Sequence, residues 1–365
     1  MVTYKHLEKY SEPLEYCIRC GFCKANCPSF KQIGWDSASA RGRMTAIKAM
    51  MKGEIEPDEG LAKRLYTCTT CGDCELRCPP GVKTVESIEA ARAELVDRGL
   101  MSEKHRKILE RIALEHNPYG EKNAGKNRFK RGTEGADVLY FMGCTAPFRS
   151  PETVTATMDI LDAAGVKYKV LGEDEWCCGS VLRRIGCVDE AEKLREHNIE
   201  AFNRSGARTI VTSCAGCFRS MKKEYGMEGI EVLHTTEFVD RLLNEGRLNV
   251  KKSREKVTYH DPCHLGKHMG VYDAPRNVLK KVATLVEMEH CREDSMCCGA
   301  GGGVKSAFGE TAVAIGAKRM DEASTTGAKL VVTPCPFCKT NLSDSSKCLP
   351  VVDFAEYVAS KLRKA

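Results

Sequence analysis

Two pairs of adjacent cysteines, Cys177-Cys178 and Cys297-Cys298, each followed by glycine, constrain this chain more than any other feature. Neighbouring side chains splay apart and meet the geometry of a disulfide poorly. They suit a metal group that takes thiolates from one short backbone segment. Three further cysteines stand around each pair in the same order. One set is Cys144, Cys177, Cys178, Cys214 and Cys217; the other is Cys263, Cys297, Cys298, Cys335 and Cys338, at offsets of 119, 120, 120, 121 and 121 residues. One unit is written twice, and its chemistry is expected to be iron–sulfur redox chemistry.

A chain of 365 residues has room for two or three domains with their own cores. Its 21 cysteines would suggest a disulfide scaffold in a small secreted protein. Here the length, the Cys-x-x-Cys groupings and the polar start, Met1 to Tyr10, point instead to metal ligands in a reducing cytoplasm. No apolar run approaches the roughly 18 residues of a membrane span, so membrane association is expected only through a partner. The formal charge of +6 treats thiols as neutral, whereas cluster-bound cysteines are thiolates. Some of the basic residues offset that charge, and nucleic-acid binding is not expected.

Residues 1–100 read as a mostly helical, ferredoxin-like domain. Cys17-x-x-Cys20-x-x-Cys23-x3-Cys27-Pro28 has the spacing of a [4Fe–4S] site, and Cys68-x-x-Cys71-x-x-Cys74-x3-Cys78-Pro79 repeats it. In such pairs the fourth cysteine ligates the other cluster. Cys17, Cys20, Cys23 and Cys78 are therefore expected to hold one cubane, and Cys68, Cys71, Cys74 and Cys27 the second. Zinc seldom takes three cysteines at so tight a spacing. Ser37 to Lys52 reads as a helix with Met44, Ile47 and Met51 on one stripe; Arg41 and Arg43 near its start are candidates to neutralise a cluster. Val85 to Arg98 reads as a second helix, stopped by Gly99. Residues 101–136 read as a helix, Glu103 to Glu115, followed by a basic linker. Lys126, Arg128, Lys130 and Arg131 in that linker are expected to be solvated.

Residues 137–250 and 251–365 read as two α/β lobes. Val138 to Phe141 and Lys256 to Tyr259 are strands leading to Cys144 and Cys263. Thr209 to Thr212 and Lys329 to Thr333 lead to Cys214 and Cys335, and Val166 to Leu171 is a further strand. Strands alternating with helices imply parallel sheets, whose sites form where loops leave the carboxyl ends of strands. The expected fold is thus α/β with a helical N-terminal domain, the two lobes related by a pseudo-twofold and facing a shared cleft.

Read as Cys-x32-Cys-Cys-Gly-x34-Cys-x-x-Cys and Cys-x33-Cys-Cys-Gly-x35-Cys-x-x-Cys, the doubled set resembles the CCG cysteine-rich domain family. The whole chain is similar to the D-type catalytic subunits of heterodisulfide reductase, a family that joins a two-cubane domain to paired CCG domains in this order. His260-Asp-Pro-Cys-His264, Cys297 to Gly303 and Ser37 to Arg43 also look familial. The resemblance implies a noncubane [4Fe–4S] cluster in each CCG set, the pair reducing a coenzyme M–coenzyme B type disulfide. Electrons would arrive through the two cubanes from a partner subunit, either a membrane cytochrome b-like protein or a soluble flavoprotein. The chain has no flavin-binding glycine fingerprint of its own. The same architecture resembles the iron–sulfur subunits of glycolate, lactate and glycerol-3-phosphate oxidoreductases, which only carry electrons onward.

Several residues follow as candidates. His264 beside Cys263 is the expected proton donor, with His260 a further candidate, while Thr145 stands at the matching place beside Cys144. Gly179 and Gly299 close the two motifs beside the clusters. The loop from Gly299 to Gly303 is either a source of backbone N–H groups or merely a tight turn. A polyanionic disulfide needs cations, and Arg183, Arg184, Lys267, His268, Lys305 and Lys339 lie close to the motifs in sequence. Cys187, Cys291 and Cys348 are left over and read as small apolar residues.

Overall fold

The computed structural model describes residues 4–347 and 349–363, so Cys348 lies outside the described residues. The N-terminal third is helical. Ser39 caps the helix Ala40–Met51 by accepting from the Gly42 amide, and Met44, Ile47 and Met50 are buried. The stripe thus runs through Met50, with Met51 at its margin. The helix Thr84–Asp97 packs on it and on Glu59–Tyr66. The core they form continues without a break into Cys144, Cys177, Leu182 and Ile185 of the next segment.

Two parallel four-stranded sheets follow. The first comprises β1 (Val138–Phe141), β2 (Tyr168–Lys169), β3 (Thr209–Thr212) and β4 (Glu231–His234), ordered β2-β1-β3-β4. The second comprises β5 (Lys256–Tyr259), β6 (Thr284–Leu285), β7 (Leu330–Thr333) and β8 (Val351–Asp353), ordered β6-β5-β7-β8. The topologies are identical. Central strands read as continuous apolar runs because helices cover both faces. Tyr140, Val211, Val257, Tyr259 and Val332 share one core, and the helices Pro151–Ala163 and Phe354–Ala359 pack together between the sheets. No described helix is long and apolar enough to cross a membrane.

Two expectations change. The strand from Val166 to Leu171 shrinks to two residues, because the Val166 amide closes the preceding helix on Leu161 and the chain turns at Gly172–Asp174 to deliver Trp176. The basic stretch is not a free linker. Asn123 donates to the carbonyls of Glu173 and Glu175, and Lys126 is fully buried in an ion pair with Glu175 at 3.1 Å. Arg131 stays outward, paired with Asp159 and Asp162.

The helix Glu103–Glu115 is wedged against the second lobe by His105. The ring is fully buried, its Nε2 is 3.0 Å from the Gly303 carbonyl, and its Nδ1 has no partner among the described residues. Nε2 therefore carries the hydrogen, and a proton on Nδ1 would be a buried charge facing nothing. Burial accordingly pushes the His105 pKa down to about 4. The unfolded chain binds that proton first, so the stabilisation is complete above pH ~6.5 and is lost as pH falls through 4. Between those values the protein is expected to lose about 3 kcal/mol more unfolding free energy than a His105→Gln variant, which keeps an N–H but cannot titrate. Denaturant titrations of both proteins across that range test it; parallel curves would contradict it.

Candidate metal centre and active-site cavity

The carboxyl ends of β1, β3, β5 and β7 release Cys144, Cys214, Cys263 and Cys335 into one cavity of about 330 Å³. Nine of the ten cysteines of the doubled set line it. The tenth, Cys297, instead lies against Cys263 and against Cys71 of the N-terminal segment. Cys214 touches Cys335, so the two sets meet across the lobes. Contact with Cys144 and Cys178, then burial, pushes the Cys177 thiol far up; contact with Cys297 and burial do the same to Cys263. So many closely packed, buried thiols cannot ionise together without a bound cation. A multi-iron sulfur group supplies that charge, and the donor set fits it.

Each Cys-Cys-Gly segment is fixed from behind. Gly299 has φ +91°, and a Cβ there would stand 2.4 Å from the Ala312 carbonyl oxygen, so no other residue fits. Gly179 holds the same left-handed place before the helix Ser180–Ile185. Trp176 is sandwiched between the rings of His116 and His197, at 3.6 and 3.5 Å, and the Cys177 amide donates to the His116 carbonyl. The Glu175 carboxylate accepts from the Met142 and Gly143 amides at 2.9 Å each, which sets the turn into Cys144. The loop to Gly303 is more than a tight turn: the Gly299 amide donates to the Cys297 sulfur at 3.3 Å. It is pressed on the N-terminal segment, where a Cβ on Gly302 would lie 2.3 Å from the Cys68 carbonyl oxygen.

In the N-terminal segment, Cys17, Cys20, Cys23 and Cys78 line one small cavity, with Cys74 and Arg41 beside them. Cys27 faces Cys68 and Cys71, and Cys74 faces Cys71, Cys68 and Cys27. Both expected groups of four are thus brought together. Backbone amides of Thr70 and Val82 donate to the sulfurs of Cys68 and Cys78, at 3.4 Å each. Arg41 is paired with Asp36. Arg43 is buried, donates to the Arg64 carbonyl and Thr67 Oγ1, and its charge opposes the rise that burial imposes on Cys27. Cys187 is buried, its thiol pushed up to about 12 by desolvation, and Cys291 is half-buried.

Most expected substrate cations are committed elsewhere. Lys267 forms a buried pair with Asp73 at 2.5 Å, and His268 receives Arg219 on Nδ1 and reaches the Thr70 carbonyl through Nε2. Both fasten the N-terminal segment to the second lobe rather than lining the cavity. Arg183 pairs with Glu192 and Glu224, and Lys339 with Glu356, also off the cavity. Arg184 and Lys305 do line it, but Arg184 is held by Glu89 and Glu224, and Lys305 by Asp344. His264 lines the cavity with its Nε2 unpartnered among the described residues, and burial holds its pKa well below the usual histidine value.

Three residues escaped the sequence reading. Arg111 is the lining cation without an ion-pair partner among the described residues. Tyr119, in the stretch read only as linker, lines the cavity and is bonded to Thr145 at 2.9 Å. Arg92, fully buried, donates to the carbonyls of Leu65, Cys68, Arg184 and Gly302 and so ties the N-terminal segment to both lobes. Its signal was present: Val85, Ile88, Arg92 and Leu95 form one helical stripe, and an arginine on an apolar stripe is a buried one.

The family described as 4Fe-4S dicluster domain matches residues 13–82, and that described as Cysteine-rich domain matches 138–222 and 257–343. A dihydromethanophenazine:CoB--CoM heterodisulfide reductase subunit of Methanosarcina barkeri, of the D type, is 37% identical over 384 residues, covering 96% of this chain and 94% of that one. Its counterpart from Methanosarcina mazei is 38% identical with the same coverage. A fumarate reductase (CoM/CoB) subunit of Methanothermobacter marburgensis is 33% identical, over 92% of this chain and 68% of that protein. With a ferredoxin-like 4Fe-4S domain followed by two cysteine-rich domains on parallel sheets, the chain belongs to the D-type heterodisulfide reductase family of iron–sulfur oxidoreductases.

Proposed function

We propose that this chain is the disulfide-reducing subunit of its complex, acting on a coenzyme M–coenzyme B type heterodisulfide in the cavity between the cysteine-rich lobes. The observation that carries the reading is the gathering of nine doubled-set cysteines around one cavity of about 330 Å³, within the size range of small-molecule sites. Residues Cys144, Cys177, Cys178, Cys214 and Cys217 would hold one noncubane [4Fe–4S] cluster, and Cys263, Cys297, Cys298, Cys335 and Cys338 the other, the sets related by a pseudo-twofold. Held there, these groups would supply the two electrons, and the iron to take up sulfur, that opening an S–S bond demands. Cys17, Cys20, Cys23 and Cys78, and Cys68, Cys71, Cys74 and Cys27, would hold two cubanes that receive electrons from a partner subunit.

The chain's own residues bind and orient. Ile108, Pro118, Val181 and Phe337 exclude water from the cavity. His264, neutral through burial, offers Nε2 to the departing sulfur as a hydrogen-bond partner. Two electrons and two protons per S–S bond give two thiols, and the bonded Tyr119–Thr145 hydroxyl pair lines the first lobe's side of the cavity. Arg111 at the mouth takes an anionic group of the substrate. A hydrogen bond to a charged group contributes about 1.5–3 kcal/mol, the lower end where solvent reaches. Arg111→Ala is therefore expected to raise KM about tenfold for the anionic disulfide, with kcat and turnover of an uncharged disulfide unchanged. An unchanged KM would remove Arg111 from the site.

The direct test is anaerobic purification, a count of iron and sulfide, and a disulfide-reductase assay with a viologen donor. About 16 irons per chain are expected. A count near eight, or no turnover in fully loaded protein, would favour an electron carrier.

A further inference from the structure

The two cysteine sets repeat, but what surrounds them does not. Three residues before the first cysteine of each set, the first lobe has Phe141 and the second has His260. Phe141 is fully buried and meets the edge of Phe202 at 5.8 Å; it offers no hydrogen-bond donor. His260 is 1% exposed, and one of its ring nitrogens lies with the sulfurs of Cys298 and Cys338 in a group whose members are all within 4.8 Å of one another. Its Nε2 has no partner among the described residues. Its Nδ1 does: Arg319 Nε stands 3.3 Å away. Arg319 is itself fixed, donating to the His290 carbonyl at 2.8 Å and to Glu322, and is 1% exposed.

That contact decides the tautomer. Arginine has hydrogens to give and none to accept, so Nδ1 must present its lone pair to Arg319. The hydrogen of the neutral ring then sits on Nε2, the nitrogen left without a partner. A ring arranged this way cannot ligate metal through Nε2 without moving its hydrogen to Nδ1, where it would face the Arg319 N–H. It is built to donate.

We propose that, when the second set holds its cluster, His260 donates its Nε2 hydrogen to a sulfur of that centre and so raises its reduction potential above that of its counterpart in the first lobe. Hydrogen bonds to cluster sulfurs stabilise the reduced, more negative form, and a second-shell partner that fixes a histidine's tautomer tunes a metal site in the same manner. His260 is a positioning residue, not a catalytic one. The inequivalence also gives electrons a direction. Cys297 of the second set touches Cys71, so an electron leaving the N-terminal segment meets the second set first and finds there the better acceptor.

The proposal rests on the reading that the second set holds an iron–sulfur cluster. It is tested on anaerobic holoprotein by redox titration followed by electron paramagnetic resonance, in the unaltered chain, His260→Phe and His260→Gln, with iron counted in each. His260→Phe, which installs the first lobe's residue, is expected to shift the reduction equilibrium of one doubled-set centre about tenfold towards the oxidised form, 59 mV for one electron. The remaining centres should not move. His260→Gln keeps an N–H and should shift it less. In protein labelled with 15N-histidine, pulsed resonance should detect a weakly coupled nitrogen. Unmoved potentials at full iron content overturn the proposal, and so does a coupling as large as that of a directly bound nitrogen. If His260→Phe fails to assemble, the labelled unaltered protein and the glutamine variant still decide. An iron count near eight in the unaltered chain overturns the functional reading itself, which separates that failure from the loss of the hydrogen bond alone.

Discussion

Alanine at Cys177 or at Cys298 is expected to cut disulfide turnover at least about a thousandfold, ~4 kcal/mol in the barrier, whichever reductant supplies the electrons. Both sulfurs line the cavity, both are buried, and each belongs to one of the two sets that act together on one S–S bond in the proposed reaction. Alanine at Cys20 is expected to behave differently. Cys20 is exposed and borders the small cavity of the N-terminal segment. Its loss should block the native donor yet spare turnover with a small viologen that reaches the doubled set through the cavity mouth. Cys71 is not a clean probe of entry, because its sulfur touches Cys297, and its alanine variant should lose activity with both donors. The check is an anaerobic assay of all four variants with each donor, normalised to iron content. Equal losses at Cys20 and Cys298 with viologen would contradict the division between entry and chemistry.

What could be read beforehand was whatever local spacing dictates. Cysteines three or four apart on a turn reach one metal group, and apolar tetrads such as Val138 to Phe141 have few fates other than a buried parallel strand. The two sheets and the delivery of Cys144, Cys214, Cys263 and Cys335 from strand ends followed from those patterns. Charged side chains were legible only in part. Lys267 stands four residues beyond Cys263, which made it look like a substrate cation, yet its partner is Asp73, 194 residues away. His268 finds Thr70 across a comparable interval. Long side chains choose partners by how distant segments pack, and that packing is absent from any local window. The glycines at Gly301 and Gly302 illustrate the same limit: they exist to let Cys68 and Thr69 approach, a need no reading of their own loop reveals.

Lys126 shows how large the effect of such an unread pair is. Replacing it by methionine is expected to lower the unfolding free energy by about 3–5 kcal/mol, the cost of stranding a buried partner charge. Lys126 and Glu175 are each 0% exposed, so water cannot take over the missing contact. Burial works against the charge on Lys126, but Glu175, Cys144 and Cys177 together hold its pKa above the usual lysine value. Burial raises the pKa of Glu175 even though Lys126 and the amides of Met142 and Gly143 oppose it. Without the ammonium group that carboxylate must take up a proton or draw in water, and either change loosens its grip on the turn into Cys144. Stability and metal content should therefore fall together, by about four irons per chain if the first set loses its group. Lys126→Met/Glu175→Gln removes both charges and should recover part of the loss, since the remaining amide still accepts from the backbone. Denaturant unfolding of the two single variants and the double variant gives the coupling directly. A Lys126→Met protein within about 1 kcal/mol of the unaltered chain, with its full iron content, would mean that the buried pair neither holds this turn nor balances the thiolates beside it.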